Sequence, residues 1–120
     1  MMQVGQTAKV TRSYSAADLT EFATLSGCDV PQTTVPEPLI AALFSYLLGV
    51  HLPGPGTNYL KQDLHFPAPA PLEVELTATV EIVRLRSEKH LVDLWARCTT
   101  PEGTVVCEGR SLVKAKDVGA

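Results

Sequence analysis

The sequence predicts an α+β fold in which a curved antiparallel sheet wraps around one long apolar helix. Three observations point there. Residues 38–49 are apolar nearly all round: Leu39, Ile40, Ala41, Ala42, Leu43, Phe44, Tyr46, Leu47 and Leu48. Such a helix belongs in the middle of something, since exposing it forfeits about 1.5 to 3 kcal/mol per large side chain. The second half of the chain alternates apolar and polar residues with period two, most plainly Leu76, Ala78, Val80 and Ile82 against Glu75, Thr77, Thr79 and Glu81. That is the pattern of a strand with one buried and one wet face. Turn residues then punctuate the same half at Ser87-Glu88-Lys89 and Pro101-Glu102-Gly103, folding the strands back as hairpins.

Taken in order, Ala8 to Tyr14 carries β-branched residues in rough alternation and reads as a short first strand. Ser15 then starts a helix as its N-cap, with Asp18 three residues on as in a capping box and Tyr14 with Leu19 as the hydrophobic staple. Gly27 stops it. Cys28 to Glu37 is a loop held open by Pro31, Pro36 and Pro38, and the apolar helix runs from Pro38 to Gly49 before Pro53-Gly54-Pro55-Gly56 ends it. Asn58–Phe66, Glu73–Arg86, His90–Thr99 and Thr104–Lys114 are the four strands that follow.

A chain of 120 residues is expected to be a single domain, 1–120, with its core between about residues 4 and 114. A hydrophobic content of 45% against 19% charged residues supports a folded core. The formal net charge is −3 and the Lys and Arg residues form no run, which disfavours nucleic acid as a partner. The apolar stretch from Pro38 to Leu52 is interrupted by Ser45 and His51 and is too short to span a bilayer, so no membrane partner is expected. Three cysteines, Cys28, Cys98 and Cys107, make an odd number without metal-ligand spacing. They suit a reducing, cytoplasmic setting.

Four segments together resemble one family. Tyr14 to Gly27, with its closing Ser26-Gly27, is similar to the opening helix of the MaoC-like enoyl-thioester hydratases and dehydratases. Leu47-Leu48-Gly49 through Leu52-Pro53-Gly54-Pro55-Gly56-Thr57 resembles the family's exit from its central helix, and Asp63-Leu64-His65-Phe66-Pro67-Ala68-Pro69 the strand end that follows. Thr100 to Gly109 is similar to the last hairpin, so the resemblance spans about Val4 to Lys114. It implies the hotdog fold, normally dimeric. The substrates it implies are trans-2-enoyl or 3-hydroxyacyl thioesters of coenzyme A or acyl carrier protein, and no cofactor is expected.

The family's chemistry uses an Asp and a His in a loop of the form Ser-Gly-Asp-x-Asn-Pro-x-His, to activate water and to handle the proton at the α-carbon. With Ser26-Gly27 and Pro31 in register, the Asp position is Cys28, the Asn position Val30 and the His position Thr33. The family also places Ala-His-Gly at the start of the central helix, where the Gly amide holds the thioester carbonyl. Here that His corresponds to Pro36 and that Gly to Glu37, a carboxylate that would repel a developing oxyanion.

Asp29 and Glu37 are the surviving candidates for acid/base work, a role that paired carboxylates can fill when burial separates their pKa values. The competing reading makes Asp29 an exposed loop residue and Glu37 a partner of the helix dipole. Cys28 reads as a small, semi-buried residue after the helix cap rather than as a nucleophile, since no His lies near it in sequence. Pro36, Glu37, Leu39, Leu43 and Tyr46 are candidates to line an acyl groove, although core packing explains the apolar ones equally well. His51, His65 and His90 share no ligand spacing, so no metal is expected. Three functions remain open. The first is a hotdog subunit that lacks its own dyad and pairs with itself or with a catalytic hotdog chain. The second is an active hydratase rebuilt on Asp29 and Glu37, and the third an acyl-CoA thioesterase using Glu37.

Overall fold

A computed structural model of the chain describes residues 2–29 and 33–115. Strand β1 (Thr7–Arg12) is followed by helix α1 (Ala16–Ser26) and helix α2 (Glu37–Tyr46), which continues as one π-helical turn, Leu47–His51. Four strands complete the fold: β2 (Asn58–His65), β3 (Leu76–Arg86), β4 (Leu91–Thr99) and β5 (Val105–Lys114). They form one antiparallel sheet in the order β1-β3-β4-β5-β2. Helix α2 packs on β3, and the π turn packs on β1 and β3.

The start of α1 is locally determined. The Asp18 N–H donates to Ser15 Oγ at 3.2 Å while the Ser15 N–H donates to Asp18 Oδ2 at 2.9 Å, a reciprocal capping box. Tyr14 and Leu19 are both buried in the core cluster, as a staple requires. Gly27 ends the helix at φ 72°, a left-handed conformation that suits glycine.

Alternation along the sheet sorts its side chains. Leu76, Ala78, Val80 and Ile82 of β3 face α2, as do Val92, Leu94, Ala96 and Cys98 of β4. Both sets meet Phe44, Leu43, Leu47 and Leu48 of the helix in a single buried cluster. The edge strand β2 comes unusually close to β5 at Gly109, where a Cβ would overlap the Asp63 carbonyl. Among the described residues no helix is long and apolar enough to cross a membrane.

Three expectations are corrected. β3 begins at Leu76 rather than Glu73, because Glu73 takes φ 60° and its N–H donates to the Tyr14 carbonyl at 2.8 Å, making a turn. His90 likewise closes a turn, at φ 57°, and β4 starts after it. The central helix is not buried all round: Ala42, Ser45, Tyr46, Gly49 and Val50 are exposed. A single sheet covers one side of a helix, and among the described residues nothing lies over the other.

Candidate functional site

The chain enters α2 along a fixed track. Thr34 makes an isolated antiparallel bridge with Pro71, and the Val35 N–H donates to the Ala70 carbonyl at 2.9 Å. Val35 and Ala70 are buried there. Pro36 then stands at the N-cap with φ −59°, and Glu37 is the first residue of the helix. No side chain caps this terminus; Pro38 has no N–H, the Leu39 N–H donates to the Pro36 carbonyl at 3.0 Å, and the positive dipole end is met by Glu37 itself.

Leu39, Leu43 and Tyr46 follow at i, i+4 and i+7 and share one stripe of the helix. The stripe is graded, from half-buried Leu39 through buried Leu43 to exposed Tyr46. Beneath its first residue lies Tyr14, which is buried and donates its hydroxyl proton to the Leu39 carbonyl at 3.4 Å. Burial raises the Tyr14 pKa above its ordinary value, the Arg12 guanidinium over its ring opposing this. Glu37 lies about 200° around the helix from Leu39 and about 14 Å along the axis from Tyr46. The candidates therefore form two groups: Pro36 and Glu37 at the helix start, and the Leu39-Leu43-Tyr46 stripe. Cavities of about 240 and 290 Å³ open elsewhere, and none of these is lined by either group.

The dyad positions are open to solvent. Cys28 is exposed, which corrects its expected half-burial: Gly27 turns the chain outward, and the thiol reaches only the Ser26 carbonyl, at 3.7 Å. Asp29 and Thr33 are exposed as well. Val30 and Pro31 lie outside the described residues, so the geometry joining Asp29 to Thr33 does too. Glu37 is exposed, yet close enough to Cys107 on β5 to help raise that thiol's pKa. Among the described residues no three His, Cys, Asp or Glu side chains gather as a metal site would require.

One pairing escapes sequence reasoning. Tyr46 Oη and His51 Nε2 hydrogen-bond at 3.0 Å, their rings edge to face with centroids 5.1 Å apart. A spacing of five brings side chains together only where the helix widens, as it does through the π turn Leu47–His51. No signal in the composition of Leu47-Leu48-Gly49 announces that widening.

Comparison with known proteins gives a consistent answer. The chain is 36% identical to an (R)-specific enoyl-CoA hydratase of Aeromonas caviae, over 94% of this chain and 95% of that protein. It is 37% identical to an (R)-specific enoyl-CoA hydratase of Rhodospirillum rubrum, over 91% of this chain and 85% of the relative. The solved structure of an A. caviae (R)-hydratase involved in PHA biosynthesis superposes with a TM-score of 0.89 at 35% identity, covering 94% of this chain and 96% of that one. The HadBC (3R-hydroxyacyl-ACP dehydratase) complex of Mycobacterium tuberculosis shares the fold, with a TM-score of 0.71 at 18% identity over 92% of this chain and 95% of the other. No family model matches the sequence. A match to two hydratases along nearly the whole length, with the same fold as the A. caviae structure, places the chain in the MaoC-like (R)-specific enoyl-CoA hydratase family of hotdog proteins.

Proposed function

We propose that this chain is a cytoplasmic hotdog subunit for hydration or dehydration of enoyl and 3-hydroxyacyl thioesters, and that it has no catalytic dyad of its own. The observation that carries this reading is the exposed pair Cys28 and Thr33 at the positions of the family's Asp and His. Adding water across an enoyl thioester needs one group to take a proton from the water and another to protonate the α-carbon. A threonine hydroxyl is no base near neutrality, and an exposed thiol is no substitute for a carboxylate. The Leu39-Leu43-Tyr46 stripe is what remains to meet an acyl chain.

The missing Asp and His then come from a second, catalytic hotdog chain. The free edge of β2, with Tyr59 40% and Leu60 53% exposed, supports such a pairing, since an unpaired edge strand is a template for another strand. The exposed side of α2 supports it as well. The acyl group arrives on coenzyme A or on an acyl carrier protein, as the names of the relatives suggest.

Purified chain incubated with crotonyl-coenzyme A should leave the enoyl-thioester absorbance unchanged and release no free thiol. Asp29→Asn and Glu37→Gln should behave identically. Hydration that either substitution abolishes would refute the subunit reading and establish a rebuilt carboxylate site.

A further inference from the structure

The sheet's outer face, turned away from α2, collects charge that the sequence scatters. Strand alternation places Lys9 of β1, Arg84 and Arg86 of β3 and Arg97 of β4 on this face. Arg110 and Lys114 of β5 and Lys61 of β2 join them. Those are seven of the chain's ten Lys and Arg residues. Only four carboxylates share the face: Asp63, Glu81, Asp93 and Glu108. Seven cations against four carboxylates leave the face at a formal +3 in a chain of −3, so the rest of the sequence carries −6.

The cations are mostly free to meet something else. Among the described residues only Arg86 and Arg97 have a carboxylate partner within reach, Asp93 at 2.9 Å and Glu108 at 3.6 Å. Trp95, the single Trp, stands half-buried mid-face between Glu81 of β3 and Arg110 of β5. It lines a groove of about 290 Å³ with Thr79, Glu81, Arg97 and Thr99, and a second hollow of about 240 Å³ lies beside Lys61, Arg86 and Arg110 together with Asp63 and Asp93. An aromatic anchor between Arg97 and Arg110, with Glu81 and Asp93 on its other sides, combines residue types enriched in binding hot spots.

We propose that this outer face docks an acidic protein segment, its carboxylates on Arg84, Arg110, Lys61 and Lys114 and one apolar side chain in the groove beside Trp95. Charge complementarity selects that occupant. A second copy meeting the chain face to face would set +3 against +3. Nothing here depends on the acyl-thioester reading, since no residue of α2 takes part.

The full chain is titrated with a fluorescein-labelled Glu/Tyr copolymer, with a Lys/Tyr copolymer and single-stranded DNA as comparators. Label anisotropy and Trp95 fluorescence are followed together. The Glu/Tyr copolymer should bind and perturb Trp95, with Arg110→Glu weakening it about tenfold or more. Arg84→Glu, an exposed side chain without an ion-pair partner, should do the same independently. Thr20→Glu with Thr24→Glu on α1 changes the net charge as much as Arg110→Glu and should leave binding nearly intact. Equal weakening by the α1 pair, an unperturbed Trp95, absence of binding, or tighter binding of DNA would each overturn the assignment.

Discussion

Cys98 and Cys107 stand opposite one another on β4 and β5, and both are fully buried. Burial pushes the Cys98 thiol from 9.0 up to about 11. Cys107 rises to about 12, through burial first and then through Cys98, Glu37 and Glu108. A group whose folded pKa exceeds its unfolded one contributes stability that is complete below the unfolded value and lost as pH climbs toward the folded one. The window is therefore pH 9 to 12. Across it each thiol should remove at most about 1.4 kcal/mol of stability per pH unit. Thermal melts of wild type and Cys107→Ala between pH 7 and about 11 should show the variant declining less steeply, and parallel declines would reject the account. What the sequence reveals at this scale is what acts locally. Ser15 and Asp18 announce their capping box because partners three residues apart meet in any helix. Glu37 comes within electrostatic reach of Cys107 only through the fold, and Tyr46 meets His51 only through a π turn.

Elements are legible wherever one face is wet. β3 and β4 were readable from period-two alternation, because a half-buried strand writes its burial into its sequence. The limits of α2 are harder, since an apolar run does not mark where 3.6-residue winding relaxes, although its large side chains fall on one half of the helix and leave Ala42, Ser45 and Gly49 on the uncovered side. β2 is harder still, with nearly every residue exposed, so no apolar stripe fixes its register. Its place is set from outside by Gly109, the one position on β5 where β2 approaches too closely for a side chain. Gly109→Ala should thus force β2 away from β5 and destabilise the chain by about 2 to 4 kcal/mol, well above an ordinary surface substitution. Urea unfolding checks this. A loss under about 0.5 kcal/mol, the range of such a surface change, would show that β2 is held elsewhere.

At the scale of the whole molecule, three uncovered features coincide: the dyad positions without a dyad, the exposed side of α2 and the free edge of β2. The site was legible in sequence only as a set of absences. Family spacing locates Cys28 and Thr33, whereas groups supplied by a partner chain, as proposed above, would leave no trace in this one. Each absence makes sense if the working unit is a pair. A second strand added along β2 would satisfy its unpaired amides and carbonyls and cover Tyr59 and Leu60, while the partner's bulk shields the open side of α2. Leu60 sits at the register shift between Tyr59 and Lys61, so a charge placed there opposes pairing without disturbing the core. Light scattering on the purified chain should report a mass above 12.9 kDa, falling toward it in Leu60→Lys, and the wild-type melting temperature should rise with concentration as association demands. A chain that stays monomeric alone but shifts to a larger mass only when co-expressed with a catalytic hotdog chain would assign the pairing to that partner. A monomer in both settings would refute edge pairing and leave the exposed side of α2 without a partner.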